Sequence, residues 1–219
     1  MNRLAIFDCD GTLVDSQANI CLAMEQCFAR AGLAVPARER TRRVVGLSLV
    51  EAMEAMVPEA EPGLHAALAD DYKAVFQGLR ARGLVEEPLY EGVPELLDAL
   101  EEEGWLLGVA TGKSDRGLRH CLEGHGLLRR FVTLQTADRH PSKPHPSMIA
   151  AALAEAGADA EVSMMIGDTS YDMAMAKAAG VRAVGVAWGY HTGEELAAAG
   201  ADLVVHDTLE IAALAEALA

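Results

Sequence analysis

Leu4-Ala5-Ile6-Phe7-Asp8-Cys9-Asp10-Gly11-Thr12 is the stretch whose reading decides the fold. Its first four residues are apolar without interruption, the pattern of a strand buried on both faces. The strand ends in two carboxylates two residues apart, which in extended backbone project to the same side. Gly11 then lets the chain turn sharply. Carboxylates this close repel, so a cation or a proton has to sit with them. A buried strand thus delivers a charged pair to one edge of a sheet.

Outward from this stretch, similar apolar runs recur at residues 105–110, 131–134, 162–166, 182–187 and 203–205. Between them lie amphipathic segments at 93–103, 114–125, 146–156, 170–179 and 208–218. The alternation predicts an α/β fold, a parallel sheet covered by helices on both faces. One interval departs from it. Residues 15–85 contain no strand pattern, only helical segments at 16–30, 37–45, 48–56 and 64–81. The expected division is a core of residues 1–14 and 86–219 and an inserted all-helical cap of residues 15–85.

Four groups of polar residues share one address, the carboxyl end of a predicted strand or the loop beyond it, where ligands bind in open α/β sheets. Asp8 and Asp10 form the first. Thr111-Gly112-Lys113-Ser114 forms the second, with a hydroxyl and free backbone N–H groups at a helix start, a natural anion cradle. It resembles a P-loop together with Gly108, but is one residue short between its glycines, so a Walker-type nucleotide site is rejected. Ser142-Lys143-Pro144 forms the third and supplies a fixed positive charge. Gly167-Asp168-Thr169-Ser170-Tyr171-Asp172 forms the fourth and adds two acids. Each group alone has a plain structural reading as a turn, a helix cap or a solvated lysine. Their convergence on one sheet edge is what points to chemistry.

Composition sets the outer limits. The formal charge of −15 argues against a nucleic-acid or anionic-membrane partner, either of which needs a basic face. No apolar run approaches a membrane span. The cysteines Cys9, Cys21, Cys27 and Cys121 form no CxxC pair, so packed free thiols and a cytoplasmic location are expected. The seven histidines show no metal-ligand spacing and read as surface or loop residues. The run Arg38-Glu39-Arg40-Thr41-Arg42-Arg43 is basic in an acidic chain. It reads first as a solvated helix face, with recognition of a substrate carboxylate as the alternative. Trp188 and Tyr190 read as packing residues, with substrate contact as the alternative.

Asp8-Cys9-Asp10-Gly11-Thr12-Leu13-Val14-Asp15-Ser16, followed by Thr111, Lys143 and Gly167-Asp168 with Asp172, resembles the haloacid dehalogenase-like hydrolases along essentially the whole chain. The resemblance implies a Rossmann-like, three-layer α/β/α core and a helical cap at 15–85. Asp10 is absent from dehalogenase members, so its presence implies phosphatase chemistry. Sugar-phosphate mutases of this branch carry a histidine where this chain has Ile20 and an arginine where it has Leu49. Phosphonate-cleaving members use a lysine near Gly46-Leu47-Ser48, where none occurs. The pattern, including Trp188-Gly189-Tyr190, is most similar to phosphoglycolate phosphatases, with pyrophosphatases and sugar or nucleotide phosphatases of the same branch as alternatives.

What the resemblance implies for mechanism follows. Asp8 is the nucleophile that forms an aspartyl-phosphate from a small-molecule phosphate ester, and Asp10 is the general acid and base. Thr111, Gly112 and Lys143 hold the phosphate. Mg2+ is bound by Asp8, Asp10 (through its backbone carbonyl) and Asp168, with Asp172 orienting a metal water or bracing Lys143. Oxygen-only ligation suits that ion. The rivals are a phospho-receiver module, which holds its phosphoryl group as a switch, and a non-catalytic binding protein of the same fold.

Overall fold

Among the described residues, the apolar runs form six strands: β1 (Leu4–Phe7), β2 (Leu106–Thr111), β3 (Phe131–Thr136), β4 (Met164–Gly167), β5 (Arg182–Val186) and β6 (Leu203–Val205). The computed structural model describes residues 2–218. All pairings are parallel and the order is β3-β2-β1-β4-β5-β6, so the first strand lies in the interior of the sheet. Its side chains alternate between two cores. Ala5 and Phe7 join Leu97, Val109, Ile166 and Ile211 on one face, while Leu4 and Ile6 join Met148, Met165 and Met173 on the other. An uninterrupted apolar strand is therefore what this position requires.

Among the described residues, ten helices accompany the strands. The insert carries α1 (Gln17–Arg30), α2 (Arg38–Arg42), α3 (Leu49–Met56) and α4 (Pro62–Ala81). The core carries α5 (Val93–Glu102), α6 (Asp115–Gly124), α7 (Ser147–Ala156), α8 (Ser170–Ala179), α9 (Gly193–Ala198) and α10 (Thr208–Ala217). Residues of α5, α6 and α10 cover one face of the sheet and those of α7, α8 and α9 the other, which gives three layers. Helix α9 shows no apolar periodicity, since its six residues carry one large apolar side chain, Leu196. The signal it did carry is a capping box between Thr192 and Glu195.

The insert packs a core of its own from Met24, Cys27, Phe28, Met53, Leu68 and Val75. Where the chain leaves and re-enters the core, the two crossings run side by side. Val14 pairs antiparallel with Leu89, Asp15 N donates to Pro88 O at 2.8 Å, and Tyr90 N donates to Leu13 O at 3.0 Å.

Candidate active site

Because β1, β2 and β4 are neighbours, their carboxyl ends bring Asp8, Thr111 and Asp168 to one place. Lys143, from the loop before α7, is 2% exposed there. Its Nζ lies 3.0 Å from Asp8 Oδ2 and donates to Asp172 Oδ1 at 2.7 Å. Asp172 also closes a capping box with Thr169, whose N–H and hydroxyl both donate to Asp172 Oδ2. It is thus a helix cap and a brace for Lys143 at once. Asp168 is fixed by Thr12, whose hydroxyl donates to Oδ1 at 2.8 Å, and by Tyr190 N, which donates to Oδ2 at 2.9 Å. Gly11 has φ of 87°, and a Cβ there would lie 2.2 Å from Asp168 Oδ2. Only glycine permits that turn to pass so close to the carboxylate.

Carboxylate oxygens of Asp8, Asp168 and Asp172 lie within 4.8 Å of one another, all buried, against the single charge of Lys143. Burial raises the Asp8 carboxyl to about 6; Lys143 opposes this, and repulsion from Asp172 and Asp10 adds to it. Burial, then repulsion from Asp8 and Asp172, lifts Asp168 well above its ordinary range. Burial works against the charge of Lys143, but Asp172 and Asp8 outweigh it and hold the ammonium above its usual value. Asp8 Oδ1 accepts from Cys9 N at 2.6 Å, while the buried Oδ2 has no hydrogen-bond partner. Three clustered carboxylates with an unbonded oxygen among them suit a hard divalent cation. The donor set therefore fits magnesium.

The Asp10 carboxylate does not join that cluster. Its Oδ1 accepts from Ser16 Oγ and sits 2.8 Å from Lys113 Nζ. Lys113 also contacts Glu87 Oε1 at 2.8 Å, and Glu87 Oε2 contacts Arg80 at 2.6 Å. Burial opposes the charge of Glu87, but Lys113 and Arg80 outweigh it and keep that carboxyl below its usual range. This chain of charges runs from Asp10 in the core to α4 in the insert. Sequence reading noticed Lys113 only within the false P-loop and gave Thr12, Ser16 and Glu87 no role. Lysine directly after Thr111-Gly112 was the available signal.

Between insert and core lies a cavity of about 460 Å³. Asp8, Asp10, Thr111 and Gly112 lie at its core side, and Met24, Leu49, Tyr72 and Phe76 line its insert side. The insert touches the core tightly. A Cβ on Gly112 would lie 2.8 Å from Leu47 O and 2.9 Å from Gly46 O, and Ser48 N donates to Ser142 Oγ at 2.8 Å.

None of the four arginines at 38, 40, 42 and 43 lines the cavity. Arg38 pairs with Glu25, Arg40 donates to Met56 O, and Arg43 pairs with Glu195 of α9. The member of that run that lines the cavity is the neutral Thr41. Trp188 and Tyr190 do not line it either: the Trp188 indole donates to Thr12 O at 3.2 Å, and the Tyr190 hydroxyl meets Ser16 Oγ at 3.3 Å. Two histidines depart from the surface reading. His65 and His191 are buried, the first bonded to Val57 O and the second accepting from Ser170 N. All four cysteines are buried free thiols. Among the described residues, no helix is long and apolar enough to cross a membrane.

Residues 5–186 match the family model described as haloacid dehalogenase-like hydrolase, and the chain belongs to that family. A protein of Dickeya dadantii named "Probable phosphatase IndB" is 37% identical over 223 residues, covering 100% of this chain and 95% of its own. A phosphoglycolate phosphatase of Agrobacterium fabrum is 33% identical, covering 87% of this chain and 82% of its own. The fold matches that of a haloacid dehalogenase-like hydrolase of Bacteroides fragilis with a TM-score of 0.88 at 22% identity, covering 96% of this chain and 100% of that one.

Proposed function

We propose that the protein is a magnesium-dependent phosphatase that hydrolyses a small-molecule phosphate monoester through an aspartyl-phosphate on Asp8. The observation that supports this best is the placement of Asp8. Its Oδ2 carries no hydrogen bond, adjoins the cavity and lies 3.0 Å from the buried Lys143. A nucleophilic oxygen needs a free lone pair and a fixed neighbour to offset charge, and Asp8 has both.

In the first step Asp8 Oδ2 bonds to phosphorus as the ester P–O bond breaks, and the departing oxygen takes a proton from Asp10. In the second, water attacks phosphorus, Asp10 takes its proton back, and the bond to Asp8 breaks to release phosphate. Lys143, Thr111 and the Gly112 backbone hold the non-bridging oxygens throughout. Magnesium, held by Asp8, Asp168 and the Asp10 carbonyl with Asp172 beside them, supplies positive charge against the phosphoryl group. Residues 15–85 act as a cap that closes over the substrate and excludes water. The buried free thiols suit a reducing compartment, the cytoplasm.

The test is phosphate release from p-nitrophenyl phosphate and 2-phosphoglycolate with magnesium present. Asp8→Asn should lower turnover by at least about a thousandfold while keeping the native circular dichroism spectrum. Borohydride reduction of enzyme quenched during turnover should convert Asp8 to homoserine. Turnover surviving in Asp8→Asn, or a label on any other residue, would reject the mechanism.

A further inference from the structure

The cavity is larger and more apolar than a phosphoglycolate site needs. Phosphoglycolate has nine non-hydrogen atoms; even allowing each about 30 Å³, the share of one water molecule, it fills under two thirds of 460 Å³. The space beyond is walled by the insert. Tyr72 and Phe76, one turn apart on α4, pair with ring centroids 6.0 Å apart and tilted by 32°. Met24 and Leu49 add to the same wall.

Lys113, Arg80 and Lys73, which line the cavity, are already committed, whereas Arg116 of α6 also lines it, exposed to solvent, and carries no ion pair among the described residues. Lys113 is bonded to Asp10 and Glu87, Arg80 to Glu87. Neither is free for a substrate carboxylate, and the arginines of α2 and its C-terminal end lie outside the cavity. Of the side chains of the insert that have a buried polar atom without a partner (Thr41, Ser48, His65 and Asp71), Thr41 is the one that lines the cavity. Thr41 lines the cavity at 1% exposure, and its hydroxyl has no hydrogen bond among the described residues. Buried hydroxyls are nearly always bonded, so one left open against a cavity marks where a ligand group belongs.

We infer that the substrate is a phosphate monoester whose alcohol half carries an apolar or aromatic ring, with a hydroxyl or carbonyl on that ring bonded to Thr41. This rests on the phosphatase reading and narrows its substrate class. The ring lies against Tyr72 and Phe76, where an offset or edge-on aromatic contact adds to simple burial. Thr41 and Phe76 are then specificity residues: they touch the part of the substrate that does not react. Hydrolysis itself is unchanged, with water supplying the oxygen and the ring alcohol leaving protonated.

The experiment compares phosphate esters of similar alcohol acidity, so that leaving-group reactivity does not decide the result. Benzyl phosphate, benzyl phosphates bearing a ring hydroxyl or carboxamide, ethyl phosphate and 2-phosphoglycolate are assayed with magnesium and the full chain. One methylene in a hydrophobic pocket discriminates about 10- to 200-fold, so benzyl phosphate should exceed ethyl phosphate in kcat/KM by about a hundredfold or more. Phe76→Leu and Phe76→Ala should shrink that ratio progressively. Thr41→Val should remove any preference for the substituted rings over benzyl phosphate, while Arg42→Ala, outside the cavity, should keep it. Ethyl phosphate or 2-phosphoglycolate matching the benzyl ester in kcat/KM would overturn the inference and leave the phosphatase reading standing. An unchanged substituted-ring preference in Thr41→Val would overturn the role of Thr41. No turnover of any ester, with no borohydride-trapped Asp8, would overturn the phosphatase reading and this inference with it.

Discussion

The ammonium of Lys113 sits 2.8 Å from Asp10 Oδ1, holding the proposed acid–base residue by a charge from the neighbouring strand end. The same ammonium contacts Glu87, in the segment that returns from the insert, and burial loses to Asp10 and Glu87 in setting its charge, which they hold firmly in place. Lys113→Met should therefore leave Asp10 and Glu87 as partly unpaired, nearly buried carboxylates. The expected loss is about 3 kcal/mol of stability in urea titration, as when one member of a buried ion pair is removed. Adding Glu87→Gln should recover part of it, because one of the stranded charges is then gone. Equal stability of the single and double variants would show that the three groups do not act together.

The contribution of Asp8 to the stability of the metal-free protein should fall as pH rises. Asp8 stands at about 6 in the folded chain against an ordinary 3.8, so the folded state binds that proton more tightly than the unfolded state. Below about pH 4 both states are protonated. Across the window from about 4 to 6 stability is lost, by about 3 kcal/mol from this group. Asp168, lifted in the same direction, adds to the trend. Since magnesium requires ionised carboxylates, its thermal stabilisation should be larger at pH 7.5 than at pH 5. Asp8→Asn should flatten the metal-free profile. A magnesium shift of equal size at both pH values would exclude these carboxylates as its ligands.

Asp10→Asn should separate the two chemical steps. The amide keeps an oxygen for Ser16 and Lys113 but has no proton to exchange. Benzyl phosphate hydrolysis should slow by roughly a hundred- to ten-thousand-fold, the usual loss when general acid–base catalysis is removed. With p-nitrophenyl phosphate the leaving group needs no proton, so Asp8 should still be phosphorylated. The signature is a burst of nitrophenolate near one equivalent, then a slow steady rate. Equal slowing of both substrates without a burst would assign the proton to another residue.

Gly112→Ala should impair catalysis more than stability. Its methyl would meet the Gly46 and Leu47 carbonyls below 3.0 Å, and backbone cannot move aside as a side chain can. The insert is then held off the proposed phosphate cradle. A misplacement near 1 Å costs on the order of a hundredfold in rate. The kcat/KM should fall by about that factor while the urea midpoint changes little. Full activity would mean that the seated position of the insert is not the productive one.

Much of this was legible in the chain. Short, largely apolar runs placed the strands, with β1 and β6 at their expected limits and β4 starting two residues later, after the 3-10 turn Ala160–Val162. Asp8 and Asp168 could be placed because each stands at a strand end, and Lys143 because it lies in the loop between β3 and α7. Lys113 and Glu87 could not, because their partnership spans 26 positions and depends on how the insert returns to the core. Thr41 was hidden by its neighbours: in Arg38-Glu39-Arg40-Thr41-Arg42-Arg43 the charges draw the eye, and only packing shows that the uncharged residue turns inward. Helix α9 was masked by small residues that bury little.

The interior position of β1 has a consequence for how the protein is made. β1 leaves the ribosome before both of its sheet neighbours and is enclosed only when β2 and β4 have been added to either side of it. At about 5–20 residues per second, roughly ten to thirty seconds separate the synthesis of Phe7 from that of Ile166. The insert has its own apolar centre, complete once Leu79 is made, and can settle during that interval. Leu4–Phe7 cannot, so an uninterrupted apolar strand waits for cover until β4 is made, and Asp8 meets Asp168 only then.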